Sequence, residues 1–226
     1  MRYFIGNWKM FGVPKSINII DKINYFYSAD KNQGKYRVII TPPFTLIETF
    51  SKKFKNKKIS IGAQNCYYKD PYSSNTAAIS PFMIKSVGSK YTLVGHSDNR
   101  SEGDTDTMLK AKVQLALKYN LKVVYCIGEN KKDKKNNKTI NVLRNQLTTV
   151  LSKKFKIKNI IVAYEPIWSI GTGKIPSAVE LKKTVFCIKK ILSEIFKQKS
   201  PPVLYGGSVD ENNISMFKEI KEIDGF

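Results

Sequence analysis

The sequence predicts an α/β protein built on a parallel sheet, and three observations carry that reading. Seven short apolar runs alternate with longer segments of helical period, at the intervals of βα units. No Pro-, Gly- or Ser-rich linker divides the 226 residues, so the chain reads as one domain. Unusual polar residues gather where the apolar runs end. Alternation alone fits a doubly wound sheet as well as a closed barrel. In a parallel barrel every strand C-terminus opens onto one face, so these polar groups converge there, and the barrel is the better reading.

The strands are expected at Tyr3–Trp8, Arg37–Thr41, Ile59–Gln64, Tyr91–Gly95, Lys122–Ile127, Asn159–Tyr164 and Pro202–Tyr205. Their near-continuous apolar character is that of strands covered on both faces. Helices are expected at Ser16–Tyr27, Phe44–Phe54, Pro81–Ser86, Thr105–Tyr119, Thr139–Lys154, Ala178–Phe196 and Glu211–Ile220. Two of the starts carry cap chemistry. Ser80 offers an N-cap oxygen before Pro81 at the first helical position, and Ser177 with Glu180 matches a capping box. At the strand ends stand Asn7 and Lys9, Gln64 and Asn65, His96 and Ser97, Glu129, Glu165, and Gly206-Gly207-Ser208.

Composition narrows the class further. With 42% apolar and 12% aromatic residues the chain can fill a core, and no stretch reaches the roughly 18 apolar residues of a membrane span. The N-terminus shows no secretory signal. Cys66, Cys126 and Cys187 are odd in number and far apart, which suits reduced thiols in a cytoplasm. His96 is the sole histidine, which argues against a His-rich zinc site. The net charge of +21 suggests polyanion binding at first. Yet of 39 basic residues only Arg2, Arg37, Arg100 and Arg144 are arginine, the residue that base readout favours, and the lysines are spread along the chain. A solvated basic surface is the simpler reading, with the run Lys131 to Lys138 as an exposed loop between strand and helix.

Six segments, GNWKM at 6–10, GAQN at 62–65, VGHSDNR at 94–100, CIGE at 126–129, AYEPIWSIGTGK at 163–174 and YGGSV at 205–209, make the sequence resemble the triosephosphate isomerases over essentially its whole length. The resemblance implies a (β/α)8 TIM barrel that interconverts dihydroxyacetone phosphate and D-glyceraldehyde 3-phosphate through an enediolate. That places it in glycolysis and gluconeogenesis, as a cytoplasmic homodimer without cofactor or metal. No specific nucleic-acid partner and no membrane are expected.

It also implies the roles. Glu165 is the base that moves the proton between neighbouring carbons, and His96 polarises the carbonyl oxygens as a neutral imidazole. Lys9 supplies a positive charge beside the enediolate and phosphate, and Asn7 donates a hydrogen bond. Pro166 to Pro176 forms a lid whose tip at Gly171 offers backbone amides, and Gly207 and Ser208 form half of a phosphate cradle.

Departures from the family pattern accompany the resemblance. Asp98 stands in place of glutamate, Asn99 in place of arginine, Ala77-Ala78 in place of Gly-Glu, and Pro176 in the second hinge. The sequence ends at IDGF, where the family's eighth strand begins, so a truncated eighth βα unit is expected. Two other readings use the same residues. One is a degenerate barrel, catalytically weak or inactive, whose basic surface touches polyanions nonspecifically. The other is a different phosphosugar enzyme of aldolase or epimerase type; a Schiff-base lysine or a His/Asp metal set would mark it, and neither is found.

Overall fold

Seven strands and nine α-helices alternate along residues 1–226, all of which the computed structural model describes. The strands are β1 (Arg2–Asn7), β2 (Tyr36–Thr41), β3 (Ser60–Ala63), β4 (Tyr91–Val94), β5 (Lys122–Ile127), β6 (Ile160–Tyr164) and β7 (Val203–Tyr205). They lie in one sheet in sequence order. A doubly wound sheet reverses direction at a switch point, so this uninterrupted order is the barrel's order. The chain forms two compact units, the first of residues 1–94 and 111–123, the second of residues 95–110 and 124–226.

In the first unit β1, β2, β3 and β4 pair in parallel, with Phe4 opposite Val38, Ile40 opposite Ile61 and Gly62 opposite Tyr91. Helices α1 (Ile17–Ala29), α2 (Phe44–Lys53) and α3 (Pro81–Ser86) supply its other apolar surfaces. Ile20, Ile39, Ile47 and Phe50 are fully buried there. The Ser80 cap forms as the sequence requires, its hydroxyl accepting the Met83 N–H at 3.3 Å. The 70–80 loop holds Tyr72 and Ala77 at φ of 67° and 65°, left-handed conformations that a side chain disfavours.

The second unit contains α4 (Ser97–Ser101), and α5 (Asp106–Lys118) and β5 each run from one unit into the other. It continues with α6 (Lys131–Lys135), α7 (Thr139–Val150), α8 (Ala178–Phe196) and α9 (Ile214–Lys218). β6 is buried at all five positions and pairs in parallel with β7. α8 buries Leu181, Val185, Ile188 and Leu192, a stripe at helical spacing. Its cap is half of the expected box. Ser177 Oγ accepts the Glu180 N–H at 3.2 Å, while the Glu180 carboxylate pairs with Lys134. The final residues lie along β7, with Asp224 N donating to Val203 O and Tyr205 N to Gly225 O.

Three expectations shift. The run Lys131 to Lys138 is not wholly loop, because Asn130 caps a helical turn by accepting the Asp133 N–H at 2.9 Å. The helix expected to reach Lys154 stops at Val150, where Leu151 turns extended. The last expected helix starts only at Ile214, because Asp210 Oδ1 accepts the N–H groups of Asn212 and Asn213 in a competing turn. No helix is long and apolar enough to cross a membrane.

Candidate active site

In the second unit His96 follows β4 and Glu165 follows β6, and their side chains face each other. His96 Nε2 lies 3.8 Å from Glu165 Oε2, and both side chains are largely withdrawn from solvent. The imidazole's tautomer follows from its other nitrogen. The Asp98 backbone N–H points at His96 Nδ1 from 3.1 Å, so Nδ1 acts as acceptor. A neutral ring then carries its proton on Nε2, the side that faces Glu165. The Asp98 carboxylate also lies 3.4 Å from Nδ1. That contact would favour an imidazolium, but an Nδ1 proton would collide with the amide hydrogen, and the shorter amide contact, 3.1 Å against 3.4 Å, favours the neutral ring.

Glu165 is held by its backbone and given room by two glycines. Its N–H donates to Ile127 O at 2.7 Å. A Cβ on Gly128 would stand 1.9 Å from Glu165 O, and one on Gly206 2.7 Å from Glu165 Cγ. Neither position tolerates a side chain while Glu165 stays in place, its backbone at Gly128 and its side chain at Gly206. Behind it sits the buried Cys126, whose thiol is raised well above the ordinary cysteine value, first by burial and then by the adjacent Glu165 carboxylate. Arg100 ties the neighbouring strand ends together. Its Nε donates to Gly95 O at 2.8 Å, and its Nη2 to Cys126 O and Tyr125 Oη at 3.2 and 3.0 Å.

The 166–176 segment is anchored at its base. Ile167–Ser169 forms a short 3-10 turn, and Trp168 Nε1 donates to Glu129 Oε1 at 2.7 Å. The buried Glu129 carboxylate also accepts from Tyr164 Oη, whose acidity is suppressed by burial and by that charge. Ser169 Oγ donates to Lys174 O and meets Tyr205 Oη at 3.1 Å, while Ser208 Oγ donates to Ser169 O at 2.7 Å. Gly207 makes this latch possible, since a Cβ there would lie 2.2 Å from Tyr205 Oη and 2.8 Å from Ser169 Oγ. Gly171 and Gly173 at the tip have φ of 66° and 70°, left-handed values that favour glycine, and a Cβ at either would meet nothing within 4 Å.

Asn7 and Lys9 belong to the first unit, at the end of β1. Lys9 has a φ of 51°, uncommon for a residue with a side chain. Its backbone is secured on both sides, its N–H donating to Asn7 Oδ1 at 3.0 Å and its carbonyl accepting from Gln64 Nε2 at 2.8 Å. Strain kept in place by side-chain hydrogen bonds is what functional positions show.

Reading the sequence brought out His96, Glu165, Gly207, Ser208 and Gly171, all within the second unit, and Asn7 and Lys9 in the first. It missed the tertiary supports: the Trp168–Glu129 bond, the Ser169–Tyr205–Ser208 latch, and the clearance at Gly128 and Gly206. The aromatic and hydroxyl residues flanking the glycine motifs were the only available signal for them.

A carboxylate facing an imidazole at strand ends of an in-order parallel α/β barrel marks a candidate acid–base site on a fold of the barrel class. The family model described as triosephosphate isomerase matches residues 2–226. The triosephosphate isomerase of Thermodesulfovibrio yellowstonii is 32% identical over 228 residues, covering 99% of this chain and 91% of that protein. That of Lawsonia intracellularis is 36% identical over 226 residues, covering 97% and 88%. The crystal structure of triosephosphate isomerase from Bartonella henselae superposes with a TM-score of 0.89 at 29% identity, over 99% of this chain and 90% of that one. The chain belongs to the triosephosphate isomerase family, has its TIM-barrel fold, and is an isomerase.

Proposed function

We propose that the chain interconverts dihydroxyacetone phosphate and D-glyceraldehyde 3-phosphate, with Glu165 and His96 as the acid–base pair. The observation that carries this is their 3.8 Å separation, with His96 Nδ1 accepting the Asp98 N–H and Nε2 turned to the carboxylate. Glu165 removes the proton beside the carbonyl, and the same carboxylate returns it to the adjacent carbon. His96 Nε2–H donates to the carbonyl oxygen as negative charge develops there. A neutral donor suits a weakly acidic enediol, because donor and acceptor are then close in proton affinity.

Lys9 adds a fixed positive charge for the phosphate and enediolate, and Asn7 donates to a substrate oxygen. Backbone amides at Gly171, Gly207 and Ser208 hold the phosphate. The lid keeps water from the enediolate and prevents loss of its phosphate. The family match crosses both compact units without interruption, which supports reading residues 1–226 as one barrel domain. The reaction places the protein in glycolysis and gluconeogenesis, in the cytoplasm. We further propose a homodimer, supported by the exposed Met10, Phe11, Tyr72 and Met83, which leave apolar surface uncovered on a single chain. The basic surface attracts the anionic substrate rather than a specific nucleic acid or a membrane.

Assay of the purified chain for triose phosphate interconversion tests the reading. Glu165→Ala lowers kcat by about 10³-fold or more, within the range a general base contributes. His96→Ala keeps more residual rate, since the histidine assists a transfer it does not perform. Near-normal turnover in the Glu165 variant would overturn the assignment.

A further inference from the structure

The lysine-dense run from Lys131 to Lys138 has no part in the reaction described above, yet one member differs from the rest. Lys134 is the only lysine of the run that is not exposed. Its Nζ lies 4.8 Å from the centroid of the Trp168 ring, and the same ammonium forms an ion pair with the Glu180 carboxylate. Trp168 stands at the near end of the 166–176 segment. Glu180 lies in the first turn of α8, just past the far end.

We propose that Lys134 is a positioning residue for the lid, holding its two ends together and fixing the indole over which the loop pivots. This rests on reading 166–176 as the lid of the isomerase site. The indole is fixed in two directions. Its edge donates to the buried Glu129 carboxylate, and its face lies against the ammonium, which the electron-rich ring attracts. Glu180 is itself held, because Ser177 Oγ caps its N–H. One cation thus spans the mouth of the loop, and the loop leaves and re-enters the barrel at a set separation. That separation is what lets Ser169 reach both Tyr205 and Ser208. A plain surface ion pair would be worth little and would not affect ligand binding. The Trp168 contact ties this pair to the site.

The experiment uses Lys134→Met, which keeps an unbranched chain one atom shorter and removes its charge, and Lys134→Arg, which keeps the charge. Both are made in a Trp8→Phe background, where Trp168 is the sole remaining tryptophan. Titration with glycerol 3-phosphate, a phosphate ligand that cannot isomerise, is followed by Trp168 fluorescence. Lys134→Met weakens binding about two- to five-fold, the factor a cation–π contact at a partly exposed site supplies, and Lys134→Arg restores it. KM for the triose phosphate rises by a similar factor. More inorganic phosphate is also released per turnover, as a loosened lid lets the enediolate break its C–O bond and expel phosphate. A drop in melting temperature without change in ligand affinity, KM or phosphate release shows a merely structural pair and overturns the proposal. Failure of the parent to bind glycerol 3-phosphate overturns the lid reading and the proposal with it. A parent that binds but does not isomerise refutes the proposed function, while the fluorescence titration still decides the role of Lys134.

Discussion

Replacing Gly206 by alanine isolates the position of the Glu165 carboxylate from its presence. The added Cβ would lie 2.7 Å from Glu165 Cγ and 3.2 Å from Oε1. Carbon atoms in contact sit about 3.5–4.0 Å apart, so the side chain must retreat by about 1 Å. A misplacement of about 1 Å lowers turnover by about 10²-fold, equivalent to about 2.7 kcal/mol of transition-state stabilisation. Gly206 does not need a left-handed backbone, so alanine brings no conformational strain and the melting temperature moves little. The assay is steady-state isomerisation in both directions, with kcat and KM separated. The fall belongs in kcat, because the atoms the added Cβ meets are those of Glu165 and not the neighbouring Gly207 and Ser208 amides. Gly34→Ala is the control, since its Cβ would meet nothing within 4 Å. If Gly206→Ala keeps kcat within about three-fold of the parent, the carboxylate does not act from the position described, and the assignment of Glu165 fails with it.

Two further predictions concern pH and assembly. The Asp30 carboxylate, which accepts the Tyr36 hydroxyl, pushes that phenol up to about 12, and burial pushes Tyr125 up to about 12. Both values exceed the ordinary 10.0, so the folded state holds these protons more tightly than the unfolded chain does. Their stabilisation is complete below pH 10 and is withdrawn as the pH rises from 10 towards 12. Thermal melts from pH 8 to 12 therefore fall steeply above 10, and less steeply in Tyr36→Phe. A flat profile to pH 11.5 refutes this. For assembly, sedimentation equilibrium gives twice the 25.8 kDa chain mass, and Tyr72→Asp lowers it towards one. A monomeric parent removes the dimer proposal.

The sequence exposed the strands because buried parallel strands are nearly continuous apolar runs, and IIVAY of β6 has only one place to go. Ser80 and Ser177 were readable because a cap is a local bond, three residues long. α6 was not, since KKDKK has no apolar face and depends on the Asn130 cap. α4 escaped for the same reason, its SDNRS being polar throughout. Glu165 and His96 came through their motifs, whereas the Trp168–Glu129 bond joins residues 39 apart and the Ser169–Tyr205 contact residues 36 apart. Such pairs depend on how strand ends are brought together, which periodicity does not encode. Clearance is harder still. Nothing in CIGE or YGGS states that the missing Cβ atoms leave space for one glutamate.

The thiol behind Glu165 determines how the protein meets electrophiles and oxidants. Thiol reactivity belongs to the thiolate, and Cys126 is kept protonated by burial and by a neighbouring negative charge. Cys66 is buried as well, which leaves the half-exposed Cys187 on α8 as the first site of attack. Modification there leaves the acid–base pair untouched, while Cys126 reacts only when the second unit opens. Loss of activity to a thiol reagent therefore requires that opening, and substrate, by holding the site shut, shields a cysteine it never touches.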